Sequence, residues 1–221
     1  MSPGIVLNIN KPKGITSFSV VRHVRKITDE KKVGHAGTLD PFATGVLLVL
    51  VGRGATKRMK EFMRLRKQYR ATLRFGLMTD THDIDGTVEQ DNEVRVSPKE
   101  VQSLARDFTG EIVQVPPMYS AKKFDGKPLY KYAREGKSVK RDPTRVTIHD
   151  ITIGPVDGRD VTLDIACSKG TYIRALARDM GALTGTGVAV TKLECTAVGD
   201  YTVEAALPLN ELGERWNSIV A

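Results

Sequence analysis

Residues 34–51 read GHAGTLDPFATG followed at once by the apolar run VLLVLV. Three glycines and a proline in the first part predict a constrained turn with little side-chain bulk, open to close approach by a large polymer. The main groups in that turn that are capable of chemistry are His35 and Asp40. The second part, Val46 to Val51, predicts a buried strand. A carboxylate displayed in a tight turn just before a buried strand indicates a site.

Positive charge is concentrated near the start of the chain. The formal net charge is +8, and residues 1–74 contain 16 Lys and Arg against 4 Asp and Glu, a net of +12. A second basic stretch, Lys122 to Arg145, contains 9 Lys and Arg against 3 acids. A single basic run is most often a solvated face, and an anionic membrane is also a possible partner of a basic protein. Two runs with the glycine turn inside the first favour an RNA or DNA footprint.

Length and composition favour one large catalytic domain without disulfides. The chain has 221 residues, of which 40% are hydrophobic, enough for a substantial core. Its two cysteines, Cys167 and Cys195, are too few for a disulfide framework and lack the spacing of a zinc site. No apolar stretch reaches the roughly 18 residues of a membrane span, and no signal-peptide apolar region begins the chain. The predicted location is therefore the cytoplasm.

Strands and helices are intermixed without regular alternation, which predicts an α+β fold. Strands are predicted at Ile5–Ile9, Val46–Val51, Tyr69–Phe75, Val146–Ile148, Ile151–Ile153 and Val161–Cys167. Helices are predicted at Pro98–Phe108, Leu129–Glu135, Tyr172–Leu183 and Leu209–Ile219, and after a cap at Ser17, where Val20, Val21, Val24 and Ile27 recur at helical spacing.

Two further segments have the composition of well-known motifs but lack their spacing. Residues 52–57 (GRGATK) follow a strand, yet they lack the third glycine of a dinucleotide fingerprint and the ending of a phosphate loop, so a turn is predicted. Asp80 to Asp85 is rich in acids, but an EF-hand frame would place Asn92 where a bidentate Glu is needed. A polar hairpin turn ending at Asp85-Gly86 is predicted there instead of a metal site.

The remaining motifs match one family in order along nearly the whole chain. They are Asn10-Lys11-Pro12-Lys13-Gly14 with Thr16-Ser17, the Gly34–Gly45 turn with Leu47, Lys67-Gln68-Tyr69 with Gly76, Val115–Lys123 with Gly126, Tyr130, Ala133, Arg134 and Gly136, and Cys167–Arg174 with Leu176, Ala177 and Asp179. Together they resemble the TruB family of pseudouridine synthases, which isomerise a uridine in the T loop of tRNA.

The resemblance implies a fold, a reaction and three catalytic residues. The fold is the pseudouridine synthase fold, a mixed and largely antiparallel central sheet flanked by helices and loops. The reaction converts uridine 55 of tRNA to pseudouridine by base flipping, without a cofactor. Asp40 is implied as the catalytic carboxylate and Arg174 as its counter-ion, which opposes the neutralising effect of desolvation. Tyr69 is implied to stack on the target base and is the candidate for proton transfer.

The resemblance also implies residues that hold the RNA. His35 occupies the space left by the everted base or packs against the flipped nucleotides, and Tyr172 and Leu193 line the base pocket. The RNA backbone is held by the stretch from Lys122 to Arg145 and by four lysines in particular, Lys11, Lys13, Lys122 and Lys123. Glu194 stands where the family usually has an arginine.

Several questions stay open at this point. Asp40 attacks C1′, attacks C6 or removes a ribose proton, and the residues do not distinguish these routes. Residues 1–221 are predicted to form a single catalytic domain without the family's usual C-terminal PUA domain, acting as a monomer on the T arm of tRNA with no metal. The alternatives are an inert RNA-binding or RNA-chaperone module, a related synthase for another RNA, and a metal-dependent phosphoesterase built on Asp80 to Asp85.

Overall fold

The computed structural model of the chain describes residues 4–220. These residues form two compact units. One comprises the chain up to Tyr69 together with the chain from Leu193 onward, and the other is Arg70–Lys192. The chain therefore enters the second unit once and returns once.

Strands and helices alternate irregularly along the chain, which confirms the predicted α+β class. The strands are β1 (Ile5–Lys11), β2 (Val33–His35), β3 (Thr44–Val51), β4 (Lys67–Phe75), β5 (Leu77–Thr79), β6 (Val88–Asp91), β7 (Gly110–Gln114), β8 (Lys123–Phe124), β9 (Lys127–Pro128), β10 (Thr144–Asp157), β11 (Asp160–Cys167), β12 (Val188–Val198), β13 (Tyr201–Thr202) and β14 (Leu207–Pro208). The helices are α1 (Ser17–Thr28), α2 (Gly52–Lys57), α3 (Met59–Arg64), α4 (Pro98–Asp107), α5 (Leu129–Arg134), α6 (Ile173–Thr184) and α7 (Leu212–Val220), the last preceded by a 3₁₀ turn at Leu209–Glu211.

Strand β3 is central in the sheet of the first unit, whose order is β14-β1-β3-β12. One edge of β3 pairs antiparallel with β1 along its full length. The other edge is shared, since β2 pairs with Val49–Val51 and β12 runs parallel to Thr44 and Gly45. Val46–Val51 is buried throughout, which confirms the strand predicted there and explains why its sequence is apolar at every position.

Helix α1 is capped one residue earlier than predicted. The side chain of Thr16 accepts a hydrogen bond from the backbone N–H of Ser19, so Thr16 is the cap and the prediction for Ser17 is wrong. Ser17 is instead the first helical residue, and its hydroxyl is used in a contact described below. The predicted apolar stripe is confirmed, since Val20, Val21 and Val24 are buried.

The strands of the second unit lie in the order β4-β11-β10-β7. Strand β10 is a single irregular strand of 14 residues, whereas the sequence pattern predicted two separate strands in this region. Register shifts after Ile148 and after Ile153 interrupt its alternation, which explains the apparent gap. Strands β5 and β6 pair around residues 80–87, which confirms the predicted hairpin turn.

Several of the short elements were not predicted, and α2 and β12 are two cases with a clear physical reason. Residues 52–57 form helix α2, so the prediction of a simple turn is wrong. The glycine that enters it has a φ of +85°, and the hydroxyl of Thr56 donates to the carbonyl of Gly52 and closes the short helix from within. Strand β12 was not predicted, because its buried start and its exposed Lys192 break the alternation that marks a half-buried strand.

Candidate active site

Asp40 lies in a tight turn between β2 and β3. The N–H of Ala43 donates to the carbonyl of Asp40 at 3.1 Å, which closes the turn immediately before the strand begins. The Asp40 side chain is half-buried, whereas the neighbouring Thr38 and Pro41 are exposed. The backbone therefore forms the constrained turn that was predicted to carry this carboxylate.

Residues from the N-terminal segment hold this turn from both sides. The hydroxyl of Ser17 accepts from the N–H of Leu39 at 2.9 Å and lies 3.1 Å from the carbonyl of the same residue, to which it donates. On the other side of Asp40, the N–H of Gly14 donates to the carbonyl of Pro41 at 2.8 Å. The backbone on both sides of the carboxylate is thus fixed by partners more than 20 positions away in sequence.

Lys11 is a third support and not a surface residue. Its side chain is fully buried, and its ammonium donates to the carbonyls of Pro12, Ile15 and Pro41 at 2.8, 2.9 and 3.3 Å. Burial lowers the pKa of Lys11 to about 8, while the nearby charge of Asp40 opposes this shift. The prediction that Lys11 contacts the RNA backbone is wrong, because its charged group is turned inward to the carbonyls of the turn.

His35 lies at the start of the turn, at the end of β2. Its Nδ1 is hydrogen-bonded to the carbonyl of Gly37, so this nitrogen carries the proton and Nε2 is the acceptor in the neutral ring. Burial lowers the pKa of His35, and the bond to the Gly37 carbonyl opposes the shift. A neutral, half-buried imidazole is suited to pack against bases.

Three other residues of the first unit were predicted to belong to the site, of which two are buried and one is exposed. Tyr69 is 8% exposed in β4, and Leu193 is also 8% exposed in β12. Lys13 is exposed in the loop after β1, where a cation is free to meet a phosphate. Lys67, two residues before Tyr69, is buried and donates to the carbonyls of Met63 and Leu65 at the end of α3.

Arg174 is held inside the second unit by a carboxylate. Its Nη1 lies 3.3 Å from Oδ2 of Asp83, and the two side chains are only 4% and 6% exposed. The guanidinium also donates to the carbonyls of Thr81 and Tyr119 at 3.1 and 2.7 Å. The other carboxylate oxygen of Asp83 accepts from the hydroxyl of Thr81 and the N–H of Asp85. Arg174 is therefore a buried, oriented cation and not a helix-surface arginine.

Sequence reasoning did not identify Asp83 as part of this arrangement. Asp80 to Asp85 was considered only as a metal loop or a hairpin turn. The hairpin prediction was right, but one of its acids faces inward, and a single sequence contains no signal that separates that acid from its exposed neighbours. Among residues 4–220, no three His, Cys, Asp or Glu side chains are close enough to hold a metal ion.

Three arginines fix the irregular segment Val115–Tyr119 by donating to its carbonyls. The pairs are Arg178 with Val115 at 3.1 Å, Arg141 with Pro116 at 3.2 Å, and Arg174 with Tyr119 at 2.7 Å. His82 lies near the same cations. Its burial, followed by the charges of Arg178, Arg174 and Arg141, lowers its pKa to about 4, so the imidazole is neutral at physiological pH.

The remaining predicted RNA-contact residues of the second unit occupy different settings. Tyr172 precedes α6, and its backbone is fixed by Gln114, whose side chain accepts from the Tyr172 N–H at 3.1 Å and donates to its carbonyl at 3.3 Å. Lys122 is half-buried and donates to Thr144 at 3.0 Å and to the Asp142 carbonyl at 3.4 Å. Lys123 is exposed.

None of the helices in the described part of the chain is long and apolar enough to cross a membrane.

Known proteins resemble the chain over most of its length. It is 47% identical to "tRNA pseudouridine synthase B" of Clostridium novyi, over 94% of this chain and 71% of that protein. It is also 47% identical to the protein of the same name in Desulfotalea psychrophila, over 92% of this chain and 85% of that protein.

Solved structures give the same result for the fold. A chain from a Cbf5–Nop10–Gar1 complex superposes with a TM-score of 0.75 and 28% identity, covering 96% of this chain and 54% of that one.

The model for the TruB family pseudouridylate synthase N-terminal domain matches residues 25–173, which include the Asp40 turn and end one residue before Arg174. By this match and by its identity to relatives of which it covers 71% or more, the chain belongs to the TruB family of pseudouridylate synthases.

Proposed function

We propose that this chain is a tRNA pseudouridine synthase that isomerises uridine 55 in the T loop and that Asp40 is its catalytic carboxylate. The observation that carries the assignment of Asp40 is the support of its turn, in which Ser17, Gly14 and Lys11 fix the backbone on either side of it. Such preorganisation is expected where a reacting group must be held in one geometry. The relatives named for this activity match 92% or more of the chain.

The reaction is an isomerisation and is balanced without a cofactor. The bond between N1 of the base and C1′ of the ribose breaks, and a bond between C5 and C1′ forms. The hydrogen on C5 leaves as a proton, and N1 gains a proton. Asp40 takes part as an ionised carboxylate, by one of the three routes that the sequence leaves open, and Tyr69 serves the proton transfer as a phenol close to the base.

The other residues have supporting roles in this proposal. Arg174 is the counter-ion of the catalytic carboxylate, a role suited to a buried guanidinium already oriented by Asp83. His35 takes the place of the everted base, and Tyr172 and Leu193 line the pocket that receives it. Eversion costs a few kcal/mol, which phosphate contacts by Lys13, Lys122 and Lys123 offset.

Partner and location complete the proposal. The RNA partner is tRNA, engaged through its T arm, and the enzyme acts as a monomer in the cytoplasm. These are expectations about the whole protein, and each is accessible to measurement by modification mapping, by sedimentation and by fractionation of cells.

Tritium release from a tRNA transcript labelled at uridine C5 tests the central claim, because C5 loses its hydrogen only when the new bond forms there. We expect release by the wild type and none by Asp40→Asn, which removes the charge but keeps the shape. Asp200→Asn, the same change at an exposed acid of the same unit, is the control and should release tritium normally. Release by Asp40→Asn at the wild-type rate would refute the role of Asp40.

The same assay distinguishes the alternatives. No release by the wild type, under conditions where tRNA is bound, would favour an inert RNA-binding module. Release from a different RNA, located by modification mapping, would favour a synthase with another substrate. Release that persists in excess chelator would argue against any metal-dependent step.

A further inference from the structure

Phe18 is an exposed aromatic residue beside the Asp40 turn. Its side chain is 56% exposed, whereas Phe42, Phe62 and Phe75 are between 2% and 7% exposed, and it is the most exposed of the six phenylalanines. It is the second residue of α1 and lies outside the buried stripe of that helix. The packing of α1 does not depend on this ring, since the helix is buried through Val20, Val21 and Val24.

A cation lies over the ring of Phe18. The guanidinium carbon of Arg22, one helical turn later, is 5.8 Å from the ring centroid, and Arg22 also donates to the hydroxyl of Ser19 at 3.3 Å. Arg22 is itself exposed. The pair is therefore an aromatic face and a charge held together at the surface, the combination that binds stacked bases and their phosphates.

The position of this pair relative to Asp40 follows from backbone contacts. Ser17, next to Phe18, is hydrogen-bonded to Leu39, next to Asp40. Gly14 is hydrogen-bonded to Pro41 on the other side of the carboxylate. Phe18 and the exposed Lys13 thus flank the turn that would receive the target uridine, within the part of the chain that carries a net charge of +12.

We propose that Phe18 stacks on an unpaired nucleotide of the RNA next to the target uridine, with Arg22 and Lys13 holding the adjoining phosphates. This inference rests on the proposed function, since it places a residue in contact with the RNA that reacts at Asp40. The partner is RNA because a cation–aromatic pair on a strongly basic surface matches a polyanion that carries planar bases. A base whose neighbour has been flipped out has lost one stacking partner, and the ring of Phe18 replaces it.

The test measures how single-turnover tritium release from tRNA depends on enzyme concentration, with four variants. We expect Phe18→Ala to raise the half-saturating enzyme concentration about tenfold, the scale of one base–aromatic stack. Phe18→Trp keeps a stacking face and should stay near the wild type, whereas Phe18→Leu keeps an apolar side chain without that face and should resemble Phe18→Ala. Leu183→Ala is the matched control, an exposed apolar residue that should have no effect.

Arg22→Gln tests the phosphate contact independently. The logarithm of tRNA affinity should fall less steeply with the logarithm of salt concentration, by about one phosphate contact. A Phe18→Ala variant that binds tRNA like the wild type would overturn the proposal, and so would Phe18→Leu with wild-type affinity, since an apolar contact would then suffice. A wild type that neither binds nor converts tRNA would overturn the proposed function first, and that result is visible before any Phe18 variant is made.

Discussion

Gly45 and Cys195 face each other across the parallel pair of β3 and β12 with no room for a side chain on the glycine. Gly45 has a φ of +97°, and a Cβ added to it would lie 2.2 Å from the carbonyl oxygen of Cys195. This contact comes five residues after Asp40, where the turn becomes a strand. The glycine is therefore required both by its backbone conformation and by the approach of the neighbouring strand.

We expect Gly45→Ala to lower the free energy of unfolding by about 3 kcal/mol, because it combines a left-handed backbone with a steric clash. Urea unfolding followed by circular dichroism measures the change. Gly14→Ala is the matched control, since Gly14 has a φ of +87° but nothing within 4 Å of an added Cβ. It should cost about 1 kcal/mol, and equal losses at the two positions would contradict the role of the Cys195 contact.

Replacing Asp83 should be among the most destabilising single changes in the second unit. Asp83→Ala removes a buried carboxylate that pairs with the guanidinium of Arg174, which should cost about 3 kcal/mol. The same change at the exposed Asp85, two positions along the same turn, should cost less than about 0.5 kcal/mol. Chemical denaturation of the two variants compares them directly, and a stable Asp83→Ala protein would show that Arg174 does not need this partner.

Lys11 should make stability depend on pH in the alkaline range. Its pKa is about 8 in the folded protein and near 10.5 when unfolded, so between these values the unfolded chain binds more protons. The free energy of unfolding therefore rises with pH across this window, by up to about 3 kcal/mol from this group. The difference between the wild type and Lys11→Met, measured by urea unfolding from pH 7.5 to 10.5, isolates the contribution, and a pH-independent difference would exclude it.

His82 should cause a loss of stability in the acidic range. Its folded pKa is about 4, below its usual 6.5, so the unfolded chain binds more protons between pH 4 and 6.5 and stability falls as the pH is lowered through that window. Between pH 7 and 5, the loss in free energy of unfolding should be about 2 kcal/mol smaller for His82→Asn than for the wild type. Asparagine tolerates the φ of +61° at this position. Thermal melts at pH 7 and 5 measure it, with His149→Asn, at an exposed histidine, as the control.

The central strand and its turn were predictable because their residues have one dominant physical preference. An uninterrupted apolar run such as Val46 to Val51 is stable only between neighbours, and glycines with a proline restrict the turn before it. The burial of Lys11 could also have been predicted from the sequence. Leu7, Ile9 and Lys11 share one face of β1 by simple alternation, so the lysine follows two apolar residues into the interior.

Other features depend on contacts that a single sequence does not contain. Thr16 and Ser17 are both good cap residues, and the choice between them is made by Leu39, which engages the hydroxyl of Ser17. Asp83 differs from Asp85 only in which way the hairpin turns its side chain. Strand β12 is stabilised by neighbours more than a hundred positions earlier, such as Thr44 and Gly45. Tertiary contacts decide each of these cases, and local propensity does not.

The shared edge of β3 has a consequence for the order in which the protein is made. Strands β1 and β2 and the Asp40 turn leave the ribosome early. The edge of β3 at Thr44 and Gly45 cannot pair with β12 until residues 194 and 195 have been synthesised. In a nascent chain of even 180 residues, the turn with the aspartate would be followed by a strand whose edge is still open. The carboxylate is thus synthesised about 150 residues before the strand that completes its framework, so activity should not begin until residues 194 and 195 have left the ribosome.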